Sequence, residues 1–174
     1  MDLFQGSKIA HGVFTPNGTV EIGEKAKGNS LTLKEAPELR HWIMHLNGQV
    51  GLGIIPINED NTCSWGVIDI DDYSLDHKAL LQKLKDENLN KFVCCRSKSN
   101  GAHLFIFFKS PVAAGNLQSY LRNVASLIGI AGTEIFPKQS KVLSNRGDVG
   151  NWLNMPYFGG TRTCIVIDYG TEIT

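Results

Sequence analysis

Short apolar runs separated by polar turns follow one another along the chain, and their spacing predicts a mixture of strands and helices. The clearest strand signal is Trp65-Gly66-Val67-Ile68-Asp69-Ile70, because its β-branched residues form a run too short for a helical period. Similar signals predict further strands at residues 12–14, 19–22, 51–57, 92–96, 103–108, 134–136 and 163–168.

Three segments carry apolar positions at helical spacing. Thr32 and Glu35 have the spacing of a capping box, which predicts a helix from Leu33 to Leu46. Two further helices are predicted at residues 76–89 and 117–128. Turn residues then predict two hairpins, one joining residues 12–14 to 19–22 and the other joining residues 51–57 to the strand at 65–70.

The mixed order of strands and helices favours an α+β fold over a doubly wound parallel sheet. We expect one domain over residues 1–174, with two lobes at about 1–60 and 61–174. The apolar fraction of 42% and the charged fraction of 20% are typical of a folded protein. No apolar run reaches the roughly 18 residues that a membrane span needs, and Met1 to Ala10 lack a signal-peptide core.

Four cysteines are present, and none belongs to a C-x-x-C pair. This spacing argues against a cysteine zinc site and against a disulfide framework. We therefore predict a reducing, cytoplasmic location. The four residues are Cys63, Cys94, Cys95 and Cys164.

Charge is distributed unevenly although the formal net charge is zero. Residues 1–90 hold eight Lys and Arg against thirteen Asp and Glu, whereas residues 91–150 hold eight against two. An acidic half facing a basic half is what a site for metal and phosphate needs, although chance also produces such asymmetry.

Asp69 and Asp71 end the clearest strand. Alternate side chains of a strand share a face, so the two Cα atoms lie about 6.6 Å apart on one side. Two carboxylates at that spacing repel each other unless a cation lies between them, and their hard oxygen ligands suit Mg²⁺ or Mn²⁺. The alternative is a solvated turn at a strand end.

A basic, glycine-containing loop follows the next strand, at Arg96-Ser97-Lys98-Ser99-Asn100-Gly101-Ala102-His103. Arginine and lysine are the usual phosphate ligands, and glycine lets the backbone approach a ligand closely. The alternatives are a solvated hairpin tip and, for His103, a buried structural histidine. Later, Glu134 stands close to Lys138 and is either a third metal carboxylate or part of a salt bridge. Trp152 is expected in the core.

These motifs, in this order, resemble the catalytic core of the archaeo-eukaryotic primase superfamily, the primase-polymerases. Asp69-Ile70-Asp71 is similar to its first motif, the run to His103 to its second and Glu134 to its third acid. The resemblance covers about residues 40–160 and is strongest to phage and mobile-element members. Two departures are a glycine, Gly101, where many members have serine, and a rival third acid, Asp168.

The resemblance implies an α/β unit packed on an RRM-like sheet, with the site in the cleft between them. It implies template-dependent nucleotidyl transfer with two Mg²⁺ or Mn²⁺ ions on the three acids. The implied partners are a single-stranded DNA template, a primer, ribo- or deoxynucleoside triphosphates and a helicase domain or protein. The implied triphosphate ligands are Arg96, Lys98, Ser99, His103 and Lys138.

Two other functions fit the same residues. A metal-dependent nuclease also uses paired strand carboxylates. An RRM-like module would bind single-stranded nucleic acid without metal, but it leaves the pair of Asp69 and Asp71 unexplained.

Overall fold

The computed structural model describes residues 2–18, 27–165 and 172–173. Within these ranges the chain is α+β, with three helices and two antiparallel sheets, as predicted. The helices are α1 (Leu39–Leu46), α2 (His77–Asp86) and α3 (Ala114–Leu127). The strands are β1 (His11–Pro16), β2 (Gly28–Leu33), β3 (Gly51–Ile54), β4 (Thr62–Ile70), β5 (Val93–Arg96), β6 (Ala102–Ala113), β7 (Glu134–Phe136), β8 (Leu153–Asn154), β9 (Cys164–Ile165) and β10 (Glu172–Ile173).

The larger sheet has six strands in the order β10-β9-β5-β6-β4-β7. Its central part follows the chain as β4-α2-β5-β6-α3-β7, which is the β-α-β-β-α-β arrangement of RRM-like domains. The expected RRM-like unit is therefore confirmed. Ile68, Leu104 and Ile135 on one face of this sheet belong to the same buried cluster as Leu81 of α2 and Leu121 of α3.

The opposite face of the six-stranded sheet packs on the smaller sheet, whose strand order is β2-β1-β3-β8. Trp65 and Phe105 lie in one apolar cluster with Leu52 and Ile54 of β3. Phe4 covers one side of this cluster, since its ring makes edge-on contacts with Trp65 and Phe105. The six-stranded sheet thus lies between two helices and a second sheet, so its aromatic face is buried.

Helix α1 begins at Leu39, six residues after its predicted start at Leu33. Thr32 and Leu33 instead continue β2, where they pair with Gly12 and His11. The helix is capped by Glu38, which forms a capping box with His41. The predicted capping box was wrong because ladder hydrogen bonds to β1 hold those residues in extended conformation. Helices α2 and α3 agree with prediction to within three residues at each end.

The predicted hairpin between residues 51–57 and 65–70 is wrong. Strand β3 pairs with β1 and β8, whereas β4 pairs with β6 and β7 in the other sheet. A tight turn does form, since the Asn58 N–H donates to the Thr62 carbonyl at 2.8 Å. Pro56 has no N–H to donate, and the β3 ladder ends before it, so the turn joins two sheets.

Strand β1 pairs with β2 at Gly28–Leu33. The strand predicted at residues 19–22 lies outside the described residues, and so does the rival acid Asp168. The last predicted strand, at 163–168, is described at Cys164–Ile165. Within the described residues, the helices are too short and too polar to cross a bilayer.

Cys95 and Cys164 form a disulfide bond between neighbouring strands. The cysteine spacing, which argued against a disulfide framework, did not predict this bond, because sequence spacing does not reveal which strands lie side by side. Cys63 and Cys94 are free and buried. Burial raises the pKa of each of these two thiols to about 12.

Candidate active site

One register row crosses five neighbouring strands of the six-stranded sheet. Its members, which we call the cross-strand row, are Cys164, Cys95, His103, Asp69 and Glu134 in order from β9 to β7. Directly opposed residues of antiparallel strands project from the same face of a sheet. The two acids therefore lie beside each other although 65 positions separate them in the sequence.

Asp69 occupies the middle of the cross-strand row. Its Oδ1 atom lies 3.3 Å from Nε2 of His103, whose side chain is only 6% exposed, while 20% of the Asp69 side chain is exposed. The histidine thus orients the carboxylate from the sheet interior, and the open side of the carboxylate is left toward solvent. Val67, two residues earlier on the same face, is fully buried, so the acid marks the point where this face leaves the core.

The other two acids flank this position. Glu134, the cross-strand partner of Asp69, is largely exposed, and its Oε2 atom lies 2.8 Å from Nζ of Lys138. Asp71 lies two residues beyond Asp69, past the end of β4, where it accepts a hydrogen bond from the Tyr73 hydroxyl at 3.4 Å. The salt-bridge alternative for Glu134 is thus realised, at a position that also adjoins Asp69.

The donor set is suited to a divalent metal ion. Carboxylate oxygens are the ligands that Mg²⁺ and Mn²⁺ prefer, and Asp69 and Glu134 are directly opposed on neighbouring strands, where Cβ atoms are about 4.5–5.5 Å apart. Lys138 already neutralises Glu134, but both side chains are exposed enough to separate. The residues present therefore fit a cation between these strands, provided that the lysine moves to another anion.

The basic loop between β5 and β6 closes as a tight turn, as predicted. The Ser97 N–H donates to the Gly101 carbonyl at 3.0 Å, and Asn100 adopts a left-handed φ of 66°. Gly101 abuts the end of β4, where an added Cβ would overlap the Ile70 carbonyl oxygen. The turn is therefore fixed against the residue that separates the two aspartates.

The predicted nucleotide ligands of this loop lie on different sides of the sheet. Arg96 faces helix α2, with Nη1 3.3 Å from Nδ1 of His77 and 2.9 Å from Oδ1 of Asn100. Lys98 extends toward the smaller sheet, where its ammonium lies 4.4 Å from the centre of the Phe14 ring. Ser99 is buried. The structure thus places Lys98 with the face that carries the acids and Arg96 with the opposite face.

Sequence reasoning missed Arg162. It lies in the turn before β9, where it adopts a left-handed φ of 57°, and its guanidinium carbon lies 4.6 Å from the centre of the Phe158 ring. Burial lowers the pKa of its guanidinium to about 10, and the Nη1 atom has no hydrogen-bond partner among the described residues. A lone arginine in a turn gives no signal of burial in the sequence, because only the fold encloses it beside Phe158.

Ser97 and Asn154 also carry buried side-chain oxygens that lack partners within the described part of the chain. Buried polar atoms are nearly always hydrogen-bonded, so such exceptions are informative.

Trp152 packs over Gly12 and Gly53, and its indole N–H donates to Thr32 at 3.0 Å. The tryptophan is structural, as expected.

A cavity of about 440 Å³ lies between α3 and the segment around β7, and Glu134 is the one of the three acids that lines it. Glu134 and Lys138 line one side, and Arg122 and Thr133 contribute further polar groups. The space beside Glu134 is thus bordered by two cationic side chains, Arg122 and Lys138.

Comparison with known families identifies the class of protein. Residues 21–164 match the model described as the TOTE conflict system, Archaeo-Eukaryotic Primase domain. The chain therefore belongs to this family of archaeo-eukaryotic primase domains, as the motif order indicated. No curated protein matches the chain. Membership supports a primase-like nucleotidyltransferase at the level of the class.

Proposed function

We propose that this domain is a primase-polymerase that performs template-dependent nucleotidyl transfer from nucleoside triphosphates. The observation that supports this most strongly is the juxtaposition of Asp69, His103 and Glu134 in one row of a chain that belongs to a primase family. The three residues come from three separate motifs, and the fold brings them to the place where the sheet face opens to solvent.

The acids would hold the metal. Asp69, Asp71 and Glu134 supply oxygen ligands, and family members typically use divalent metals. When bound, Mg²⁺ or Mn²⁺ would neutralise the triphosphate and increase the acidity of the attacking hydroxyl. His103 fixes the orientation of Asp69 through their 3.3 Å contact, so the carboxylate needs little rearrangement when a cation arrives.

The cationic side chains would bind the triphosphate. Lys138 would leave its salt bridge with Glu134 and bind a phosphate group instead. Binding of the nucleotide would thereby free the Glu134 carboxylate for the metal. Lys98 shares the face of the acids, whereas Arg96 would act by holding the loop through Asn100. Ser99, in the same loop, would fix the loop backbone from its buried position.

Template, primer and partners follow from the reaction class. We propose a single-stranded DNA template, a primer and nucleoside triphosphates as substrates, with a helicase domain or protein as a partner. The family description adds a setting, since it assigns the domain to a conflict system. We therefore propose a role in defence involving mobile elements, with synthesis on invading or displaced strands.

An RRM-like binding module is the weaker alternative. Such modules stack bases on exposed aromatic residues of the two central strands, which correspond here to β4 and β6. In this chain Trp65 and Phe105 of those strands are 0% exposed and are covered by Phe4 and the second sheet. The surface that the alternative needs is thus already occupied.

The direct test is nucleotide incorporation on a primed and an unprimed single-stranded template, with Mg²⁺ and then Mn²⁺. We expect extension of the primer that EDTA abolishes. A matched reaction with labelled DNA, metal and no nucleotides distinguishes the nuclease alternative. Strand cleavage without incorporation would refute the proposal in favour of a nuclease.

A further inference from the structure

A second group of metal-ligand side chains lies away from the acids, in the smaller sheet. It consists of His11 on β1, Glu35 after β2 and His41 in the first turn of α1, and their ligand atoms all lie within 4.8 Å of one another. His41 Nε2 is 3.6 Å from Glu35 Oε1. His11 precedes the part of the chain that matches the primase family, so membership does not account for the group.

His11 is positioned as metal-binding histidines are. Its side chain is fully buried, and Nδ1 lies 2.8 Å from the Glu35 carbonyl oxygen. A carbonyl only accepts, so Nδ1 carries the proton and Nε2 presents a lone pair. Among the described residues Nε2 has no hydrogen-bond partner. An Nδ1–H donated to a backbone carbonyl, with Nε2 left open, is the arrangement that orients a histidine toward a metal.

We propose that His11, Glu35 and His41 form a binding site for a divalent transition metal of the zinc type. Two imidazole nitrogens and one carboxylate oxygen are a known zinc ligand set that leaves a fourth position open. Glu35 and His41 also line a cavity of about 480 Å³ whose other walls are mainly apolar, including Val13 and Leu52. Water or a small ligand has room to complete the coordination there. The site does not depend on the proposed nucleotidyl transfer.

Binding would rearrange two contacts of the metal-free protein. His41 Nδ1 accepts from the Glu38 N–H at 2.9 Å, and coordination through Nε2 requires the ring proton to lie on Nδ1, which ends that hydrogen bond. Glu35 Oε1 also lies 3.7 Å from Arg40 Nη2, but Arg40 is exposed and already contacts Glu38 at 3.1 Å. Donor atoms around tetrahedral zinc are about 3.3 Å apart, so the ligand atoms must approach one another slightly.

The test is equilibrium dialysis of the full chain against Zn²⁺, with the bound metal counted by mass spectrometry. We expect one tightly held equivalent in the wild type and at least about tenfold weaker binding in Glu35→Gln and in His41→Gln. Asp69→Asn and Asp72→Asn serve as controls that should keep the zinc. Circular dichroism checks folding, and Glu35→Gln alters a half-exposed side chain.

Cobalt gives a second readout that is independent of activity. Bound Co²⁺ should show the strong visible absorption of a low-coordinate site without a thiolate charge-transfer band, and His11→Gln should remove this spectrum. If His11→Gln does not fold, the other two variants decide the result. The proposal is overturned if no stoichiometric zinc binds, or if binding survives His41→Gln and Glu35→Gln but is lost in Asp69→Asn.

Discussion

Gly101→Ala should displace the basic loop from the end of β4 and lower both stability and activity. An added Cβ would overlap the Ile70 carbonyl oxygen and would also lie 3.2 Å from Oγ of Ser97, so relief requires a displacement of about 1 Å. Overpacking that forces such backbone shifts costs about 1–3 kcal/mol of unfolding free energy. At this chain length each kcal/mol lowers Tm by about 2–4 °C.

The same displacement should lower activity more than stability. Ile70 separates Asp69 from Asp71, and a misplacement of about 1 Å at a catalytic centre can cost about 100-fold in rate. Thermal melts and primer extension at a temperature where both proteins are folded measure the two effects separately.

Gly115→Ala is the matched control. Its added Cβ would make an ordinary 3.6 Å contact with Ser140, and alanine in helix α3 should stabilise the fold by up to about 1 kcal/mol. Wild-type Tm and wild-type extension in Gly101→Ala would refute the argument that this close backbone approach positions the acids.

Two further predictions concern buried titratable groups. Burial lowers the pKa of His45 below its ordinary 6.5. Below pH 6.5 the unfolded chain therefore binds more protons than the folded chain does. The unfolding free energy should then fall by up to about 1.4 kcal/mol for each pH unit of acidification. Unfolding free energies from denaturant titrations at several pH values should depend less steeply on pH in His45→Gln than in the wild type. An identical pH dependence in the two proteins would contradict this. Thiol titration of unreduced protein should detect no rapidly reacting thiol when folded, two after denaturation (Cys63 and Cys94) and four only after reduction. Four thiols in the unreduced, denatured chain would rule out the bond between Cys95 and Cys164.

Local patterns predicted the parts of the fold that depend on local chemistry. The run ending at Asp69 is a strand because its apolar residues are β-branched, and the loop at Asn100-Gly101 turns because asparagine and glycine tolerate a left-handed φ. Helix α1 was placed too early because Thr32 suits either a cap or a strand. Its pairing with Gly12, which decided between them, is a tertiary contact.

The order of the motifs was the only part of the sequence that predicted which residues form the site. No periodicity indicates that Glu134 lies opposite Asp69, and the family resemblance alone suggested that they meet. Arg162, the disulfide bond and the histidine cluster stayed hidden because each depends on which strands are neighbours. Position in the predicted loop was also not enough for Arg96, because its side chain faces the side of the sheet away from the acids.

The central claim is that the carboxylate of Asp69 takes part in nucleotidyl transfer. Asp72 provides the control, because it is exposed at the same end of β4 and its carboxylate accepts from the N–H and hydroxyl of Ser74 at 2.9 and 2.7 Å. Primer extension with Mg²⁺ or Mn²⁺ should fall by at least about 100-fold in Asp69→Asn, with Tm nearly unchanged. Asp72→Asn should retain extension. Wild-type extension by Asp69→Asn would contradict the account.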